Sequence, residues 1–295
     1  NGVVSAVLLS TSLFGGDSPD IAVFEVDEFA LPVVLKFVSP TVLILLNLSR
    51  DQLDRYGETD IISDRWAEAI RKLPSSTTLV YYNAQPEFEA IASAFSGRTQ
   101  DFSEDDAAIL SRTGLYGKFN TKNLNAALTA CSLLGIDRET ALTSLDDFNA
   151  AYGRGEVLKY KNKSFHVFLA KNPASFDNNL EMFISEKTHI KNILIVLNDN
   201  IPDGRDVSWI YDIQAAFIKK AFQDVSIFVS GTRSLDMAVR LKYAGAVLLE
   251  GNVFRDLNEA IKRVSSESTS EDILVLPNYS AMLEVRKILT GKKIL

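Results

Sequence analysis

The sequence has 295 residues, and its hydrophobic content of 46% is ample for the cores of two ordinary domains, which we predict over one large domain. Its formal net charge of −7 argues against sequence-independent binding of nucleic acid. The single cysteine, Cys131, excludes an internal disulfide bond, and the two histidines, His166 and His189, lie too far apart along the chain to predict a zinc site.

The chain begins at Asn1 inside an apolar segment that is typical of a helix, so we expect a fragment whose upstream part is missing. No apolar segment reaches the roughly 20 residues that cross a bilayer. The N-terminus also lacks the basic region of a signal peptide. These features predict a cytoplasmic protein without a transmembrane segment.

Two apolar strands are predicted early in the chain, and acidic residues follow each of them. Residues 21–26 contain Glu25, and residues 42–46 lead into a string with Asp51 and Asp54. Carboxylates at the ends of neighbouring strands suit Mg²⁺ bound to nucleotide phosphates, because hard cations take oxygen ligands. The alternative is a solvated helix face, on which Asp51 pairs with Arg55 at i,i+4.

The rest of the first half is predicted to add one strand and one long helix. Residues 77–83 are typical of a buried strand, whereas residues 97–113 are acidic and weakly patterned, which favours a surface connection. Residues 117–134 are predicted to form a helix that ends at Gly135, because glycine is common just beyond a helix C-terminus.

The second half is predicted to be a separate α/β domain. Two glycines and a mix of charges mark a linker at 151–160, which divides the chain into domains 1–154 and 155–295. Beyond it, strand and helix patterns alternate, as in an open, mostly parallel sheet covered by helices on both faces. The predicted strands are 164–170, 193–197, 225–230, 246–250 and 273–276, and the predicted helices reach about residue 187 or span 207–222, 233–243, 254–265 and 280–290.

The most unusual loop follows the predicted strand 193–197 and contains the carboxylates Asp199, Asp203 and Asp206. Loops at the carboxyl ends of parallel strands are where α/β proteins bind their ligands. The simplest role for Asp206 is the N-cap of the helix predicted to begin at Val207. A cap needs only one carboxylate, however, and this loop supplies three.

The string from 197 to 212, LNDNIPDGRDVSWIYD, resembles the signature of the MurT family, the Mur-ligase-like subunits of lipid II isoglutaminyl synthase. Residues 47–57 are similar to the Asn-x-x-x-Asp-[His/Gln]-Leu-Asp-x-x-Gly motif of Mur ligases. The resemblance implies a partial Mur-ligase central domain without its P-loop part, followed by a Rossmann-like α/β C-terminal domain. In the family, the aspartate before x-Ser-Trp-Ile completes in trans the Cys-His pair of the glutaminase subunit GatD, which implies a catalytic role for Asp206.

The same resemblance implies residues that bind ATP and Mg²⁺. Glu25 matches the acidic residue that binds magnesium, and Asn123, in the string that begins at Gly117, matches the asparagine beside the adenine. Arg154 resembles a hinge arginine near the nucleotide phosphates, and Lys171 lies in a Lys-Asn-Pro-Ala loop that abuts the nucleotide. Local pattern alone also allows Asn123 to be an exposed first-turn residue, and Arg154 and Lys171 to be solvated surface residues.

The triphosphate-binding loop of such ligases has no match in this sequence. No Gly-Lys-Ser or Gly-Lys-Thr string occurs, so we expect this chain alone not to turn over ATP. Members of the family often contain a four-cysteine zinc ribbon, which this sequence also lacks.

The resemblance implies a ligase subunit of a glutamine-dependent amidotransferase. It would convert the D-glutamate α-carboxylate of the lipid II stem peptide to D-isoglutamine through an ATP-derived acyl phosphate, with ammonia from GatD. The lipid-linked substrate would bring it to the inner face of the membrane. Two alternatives stay open: a Mur or folylpolyglutamate type ligase that adds an amino acid, and a non-catalytic scaffold that binds a glutaminase.

Overall fold

A computed structural model of the chain describes residues 20–48, 59–105, 107–146, 148, 150, 153–185, 189–268 and 270–292. In these ranges the strands form two separate sheets, one of three strands and one of five. None of the described helices is both long enough and apolar enough to cross a membrane. The mixed α/β fold with parallel strands confirms the predicted fold class.

The elements of the first half are α1 (Leu31–Val34), β1 (Val42–Leu45), α2 (Thr59–Ile70), β2 (Thr78–Tyr82), α3 (Pro86–Ala94), β3 (Arg98–Phe102), a 3-10 helix (Ala107–Arg112), α4 (Phe119–Leu133) and α5 (Arg138–Thr143). Its sheet has the order β1-β2-β3, and the strands are parallel. One face of this sheet is covered by α2 and α3, whose Trp66 and Phe88 pack on Leu79 of β2. Helix α4 covers the other face, where Ala126 meets Val80.

Two predictions for this half are wrong. Residues 21–26 do not form a strand, because no described strand pairs with them and Val23 is 90% exposed. Residues 97–113 are more than a connection, since they contain β3 and a 3-10 helix. Strand β3 lies at the edge of the sheet and only its last residue, Phe102, is buried, so its sequence is polar and lacks the pattern of a core strand.

The elements of the second half are β4 (Arg154–Tyr160), β5 (Lys163–Phe168), α6 (Pro173–Ser185), β6 (Asn192–Val196), α7 (Ala215–Ala221), β7 (Ser226–Ser230), α8 (Ser234–Tyr243), α9 (Leu257–Glu267), β8 (Asp272–Pro277) and α10 (Tyr279–Thr290). The second sheet has the order β4-β5-β8-β6-β7, with β4 antiparallel to β5 and the other pairs parallel. Helices α6, α7 and α8 cover one face, and α9 and α10 cover the other. All five residues of β6 are buried.

The predicted linker and one predicted strand of this half are wrong. Residues 154–160 form β4, an edge strand in the region that was expected to be a linker. The segment 246–250 does not form a strand, and Val247 is 79% exposed. The predicted boundary between residues 154 and 155 falls inside β4, and the independence of the two domains stays a prediction.

The predicted helix 207–222 is also wrong, because it is divided in two. Ser208–Asp212 form a 3-10 helix, and α7 begins only at Ala215. An α-helix here would join the carbonyl of Ile210 to the N–H of Gln214. That carbonyl instead accepts a hydrogen bond from Arg240 Nε at 2.8 Å, and the N–H of Gln214 donates to Asp177 Oδ1 at 3.0 Å.

Candidate functional site

The loops at the carboxyl edge of the second sheet are joined by a network of buried amides. Asn198, after β6, donates its N–H to Asn278 Oδ1 at 3.1 Å, and Asn278 Nδ2 donates back to the carbonyl of Asn198 at 2.7 Å. Asn198 Oδ1 also accepts from the N–H of Thr232 at 3.0 Å. The ends of β6, β7 and β8 are therefore held at fixed distances from one another.

Asp199 is bound by the loop that follows β7. Its Oδ1 accepts a hydrogen bond from Thr232 Oγ1 at 2.7 Å, and its Oδ2 lies 3.4 Å from Arg233 Nη1. The hydrogen bond from Thr232, together with the Arg233 guanidinium, lowers the pKa of Asp199. This carboxylate fastens two loops together, and its charge is satisfied within the protein.

Asp203 is bound by the first turn of α10. It accepts hydrogen bonds from the N–H of Ser280, at 2.9 Å, and from the Ser280 hydroxyl. Asn200 Nδ2 donates to the same hydroxyl at 2.8 Å. Asp203 thus satisfies a free N–H at a helix N-terminus, the role that sequence analysis considered for Asp206.

Asp206 differs from the other two carboxylates because it faces solvent. Its Oδ1 accepts a hydrogen bond from the N–H of Ser208 at 2.8 Å, which closes a local turn into the 3-10 helix. This bond, with a smaller contribution from the charge of Arg233, lowers the pKa of Asp206, so the carboxylate is ionised at neutral pH. The structure therefore presents a negative charge at the surface of this loop.

The residues that follow Asp206 are firmly anchored. Val207, Trp209, Ile210 and Ile213 are buried in the core between the sheet and helices α6, α7 and α8. Because buried side chains follow Asp206 directly, the position of its carboxylate is well defined. A group that contacts a side chain of a partner protein needs such a defined position.

Lys171 lies at a cleft in the same edge of the sheet. The cleft has a volume of about 220 Å³ and is lined by Lys171, Pro202, Asp203, Asn278 and Tyr279. Lys171 precedes α6, where Asn172 Oδ1 accepts from the N–H of Ser175 at 2.8 Å. The lysine is exposed at the rim, a position suited to neutralising an anion, and its contact with nucleotide stays a prediction.

Glu25 and Arg154, which the resemblance assigned to magnesium and phosphate, lie close to each other. Glu25 Oε1 is 3.8 Å from Arg154 Nη2, and the two side chains are 92% and 68% exposed. The described residues contain no group of three side chains that could hold a metal ion. A single carboxylate still fits Mg²⁺, which often binds one or two carboxylates and takes its other ligands from phosphates and water. Asp51 and Asp54 lie outside the described residues.

Asn123 lies in α4, which begins and ends close to the predicted bounds. Its Nδ2 donates to Asn120 Oδ1 at 3.1 Å, and Asn120 Nδ2 donates to the carbonyl of Tyr116 at 2.7 Å. Tyr116 packs edge-on against Phe168 of β5, with ring centroids 6.1 Å apart. The exposed Asn123 is therefore held beside the contact between the two halves, and its role toward adenine stays a prediction.

The amino edge of the second sheet contains a cluster that sequence analysis missed. His166 Nε2 and His189 Nε2 each lie 2.7 Å from a different oxygen of Asp272. These hydrogen bonds, that of His166 first, lower the pKa of Asp272. The histidines were predicted to stand apart, and only the pairing of β5 with β8 places His166 near this carboxylate.

Comparisons with solved structures identify the fold. MurF from Acinetobacter baumannii matches with a TM-score of 0.64 and 16% identity, over 88% of this chain and 61% of that one. MurF ligase from Thermotoga maritima in complex with ADP matches with a TM-score of 0.66 and 14% identity, over 88% of this chain and 63% of that one. This chain, which spans less than two thirds of either MurF, has a Mur-ligase-like fold.

Sequence comparisons identify the particular relatives. Residues 169–282 match the family model described as MurT ligase C-terminal. The lipid II isoglutaminyl synthase (glutamine-hydrolyzing) subunit MurT of Staphylococcus aureus strain COL is 29% identical, over 95% of this chain and 76% of that protein. The corresponding subunit of Streptococcus pneumoniae strain R6 is 24% identical, over 99% of this chain and 79% of that protein. The predicted relationship to MurT is confirmed, and the chain is related to ligases of peptidoglycan synthesis.

Proposed function

We propose that the chain is the ligase subunit of a glutamine-dependent amidotransferase and that Asp206 completes the active site of a GatD-type glutaminase. The observation that supports this most is the difference between the three carboxylates of one loop. Asp199 and Asp203 are hydrogen-bonded to neighbouring loops, whereas Asp206 is ionised and exposed on an anchored segment.

The proposed role of Asp206 is to orient a histidine of the partner and to stabilise its positive charge. Glutamine hydrolysis by a Cys-His pair needs the histidine held in one orientation and its positive charge stabilised. A carboxylate does both by accepting a hydrogen bond from the second ring nitrogen of the histidine. Asp206 supplies such an acceptor, and its bond from Ser208 fixes the direction in which it points.

The ligase half of the reaction would take place near Glu25, Arg154, Asn123 and Lys171. ATP would transfer its γ-phosphoryl group to the D-glutamate α-carboxylate of a lipid II stem peptide, releasing ADP and forming an acyl phosphate. Ammonia would then attack the acyl carbon and displace phosphate to give D-isoglutamine. Arg154 and Lys171 would neutralise phosphate charge, and Asn123 would contact the adenine. Bound Mg²⁺, with Glu25 as a ligand, would supply further neutralisation of the phosphates.

The test is the substitution Asp206→Asn. Asparagine still accepts the hydrogen bond from Ser208, so the turn should persist while the negative charge disappears. We expect glutamine hydrolysis by the complex with a GatD-type glutaminase to fall by about a hundredfold or more. Amidation driven by free ammonium in the full-length ligase should continue, because that reaction does not use the glutaminase site.

Asp199→Asn is the matched control, since it makes the same chemical change in the same loop at a carboxylate whose charge is satisfied internally. It should leave glutamine hydrolysis close to that of the wild type. Normal hydrolysis by an intact complex containing Asp206→Asn would refute the proposed function.

A further inference from the structure

The guanidinium of Arg240 is buried in α8 beneath the segment that follows Asp206. The residue is only 6% exposed. Its Nε donates to the carbonyl of Ile210 at 2.8 Å, and its Nη2 donates to the carbonyl of Ile213 at 2.5 Å. The forked shape of the guanidinium lets one side chain bind two carbonyls at a fixed spacing.

These bonds determine the local backbone. The carbonyl of Ile210 is held by Arg240, and the N–H of Gln214 is held by Asp177, so the α-helical bond between these two backbone groups does not form. The chain instead forms the 3-10 helix Ser208–Asp212 and enters α7 through an extended Ile213. Arg240 therefore keeps the segment after Asp206 out of the helix that its sequence pattern favours.

Three hydrogen bonds connect Arg240 to Asp206 through the backbone. Arg240 holds Ile210, whose N–H donates to the carbonyl of Val207 at 3.1 Å. Ser208, the next residue, donates its N–H to Asp206 Oδ1 at 2.8 Å. Loss of the Arg240 contacts would release this chain of bonds at its buried end.

We propose that Arg240 is a positioning residue that sets the orientation of Asp206 toward the partner's histidine, an inference that rests on the proposed function. Burying a charged group away from water is costly, and an apolar side chain of similar volume would fill the same space without that cost. What an apolar side chain cannot do is bind the carbonyls of Ile210 and Ile213. The geometry of the segment is therefore the property that requires arginine.

Lys163 provides a matched control at the opposite edge of the sheet. It is also 6% exposed, and its Nζ donates to the carbonyls of Ser268 and Ser270, both at 2.8 Å. Lys163→Met and Arg240→Met each remove a buried cation from two backbone carbonyls. Only the second change affects the segment that follows Asp206.

The experiment measures glutamine hydrolysis by a GatD-type glutaminase in complex with the full chain. In Arg240→Met we expect kcat to fall about tenfold to a hundredfold, because small displacements of a group in an active site have effects of this size. KM for glutamine and the affinity of the complex should stay unchanged, since the glutamine site lies on the partner. Lys163→Met should change none of these quantities.

Arg240→Lys is the second variant, in case Arg240→Met does not fold. A lysine ammonium is a point charge on a flexible stem and does not reproduce the fork, so kcat should lie between those of the wild type and Arg240→Met. Backbone hydrogen exchange should become faster in residues 208–214 and stay unchanged in the buried strands. Unchanged exchange in 208–214 together with unchanged kcat would overturn the proposal.

A parallel assay of Asp206→Asn distinguishes failure of the proposed function from failure of the positioning role of Arg240. If Asp206→Asn abolishes hydrolysis and the Arg240 variants behave like Lys163→Met in an intact complex, only the role of Arg240 is refuted. If Asp206→Asn hydrolyses glutamine normally, the proposed function and the role of Arg240 are both refuted.

Discussion

The amino and carboxyl edges of the five-stranded sheet each contain hydrogen-bonded carboxylates and a buried cation that binds two backbone carbonyls. At the amino edge, Asp272 is bound by two histidines and Lys163 holds two carbonyls. At the carboxyl edge, Asp199 and Asp203 are bound by neighbouring loops and Arg240 holds two carbonyls. At the carboxyl edge, the segment held by the buried cation also contains the exposed carboxylate Asp206, whose Oδ1 accepts a hydrogen bond from the N–H of Ser208.

The difference teaches which carboxylates to regard as functional. A carboxylate whose oxygens are hydrogen-bonded within the protein stabilises the fold, and its replacement should lower the free energy of unfolding. A carboxylate that is exposed on a rigid support contributes little to stability, so a specific position for it needs another explanation. Both oxygens of Asp199, Asp203 and Asp272 are bonded to other residues, whereas Asp206 is exposed to solvent.

After Asp206 and Arg240, the largest effect is expected at Glu25, another exposed carboxylate. Glu25→Ala in the full-length ligase should lower Mg²⁺-dependent ATP use by about tenfold or more, because removing a ligand weakens metal binding. Its unfolding free energy should not change, since the 3.8 Å contact with Arg154 joins two exposed side chains. Turnover equal to that of the wild type would show that the metal is bound elsewhere.

A smaller effect, on stability alone, is expected for Asp272→Asn. Hydrogen bonds to a charged group typically contribute about 1.5–3 kcal/mol, so the variant should lose free energy of unfolding in this range at neutral pH. Glutamine hydrolysis should stay unchanged, because the substitution lies at the edge of the sheet opposite Asp206. Glu271→Gln, the exposed neighbour, is the control and should show neither change.

The pH dependence of this difference follows from the pKa of Asp272. Because folding lowers the pKa of Asp272, its ionised carboxylate stabilises the protein at pH values above the pKa that the residue has in the unfolded chain, which is about 4. The stabilisation is lost as the pH falls through the lower, folded value. Urea unfolding at pH 6 and at low pH should therefore show that wild type and Asp272→Asn converge in acid, and a constant difference would contradict this account.

The sequence predicted strands with mostly buried residues well and exposed strands badly. Strands β6, β7 and β8 lie near their predicted positions, because most of their residues are buried and apolar. Strands β3 and β4 were not predicted, because most of their residues are not buried and the apolar pattern is weak. The apolar segments 21–26 and 246–250 were predicted as strands, but neither pairs as a strand, and Val23 and Val247 are exposed.

The loop that contains Asp206 was recognised from the sequence, but the residues that determine its conformation were not. Asp206 was identified because its whole string resembles MurT, whereas Arg240 follows an ordinary pattern of basic residues near the end of a helix. Its burial depends on a contact across 30 residues of sequence, with Ile210, which no local pattern contains. The bonds from Arg240 and Asp177 also explain why the predicted helix 207–222 is interrupted.

The smallest effect is expected when the second sheet is separated from the first. Residues 155–295, the predicted C-terminal domain, contain the helices that cover the five-stranded sheet in the described part of the chain, so they should unfold cooperatively when produced alone. The loss of the Tyr116–Phe168 contact should lower the unfolding free energy by about 1 kcal/mol. Chemical denaturation monitored by circular dichroism and by Trp209 fluorescence should give coincident transitions, since Trp209 is buried against the same sheet. Separate or non-cooperative transitions would show that the two halves share a core, and the predicted boundary at residue 155 would then be wrong.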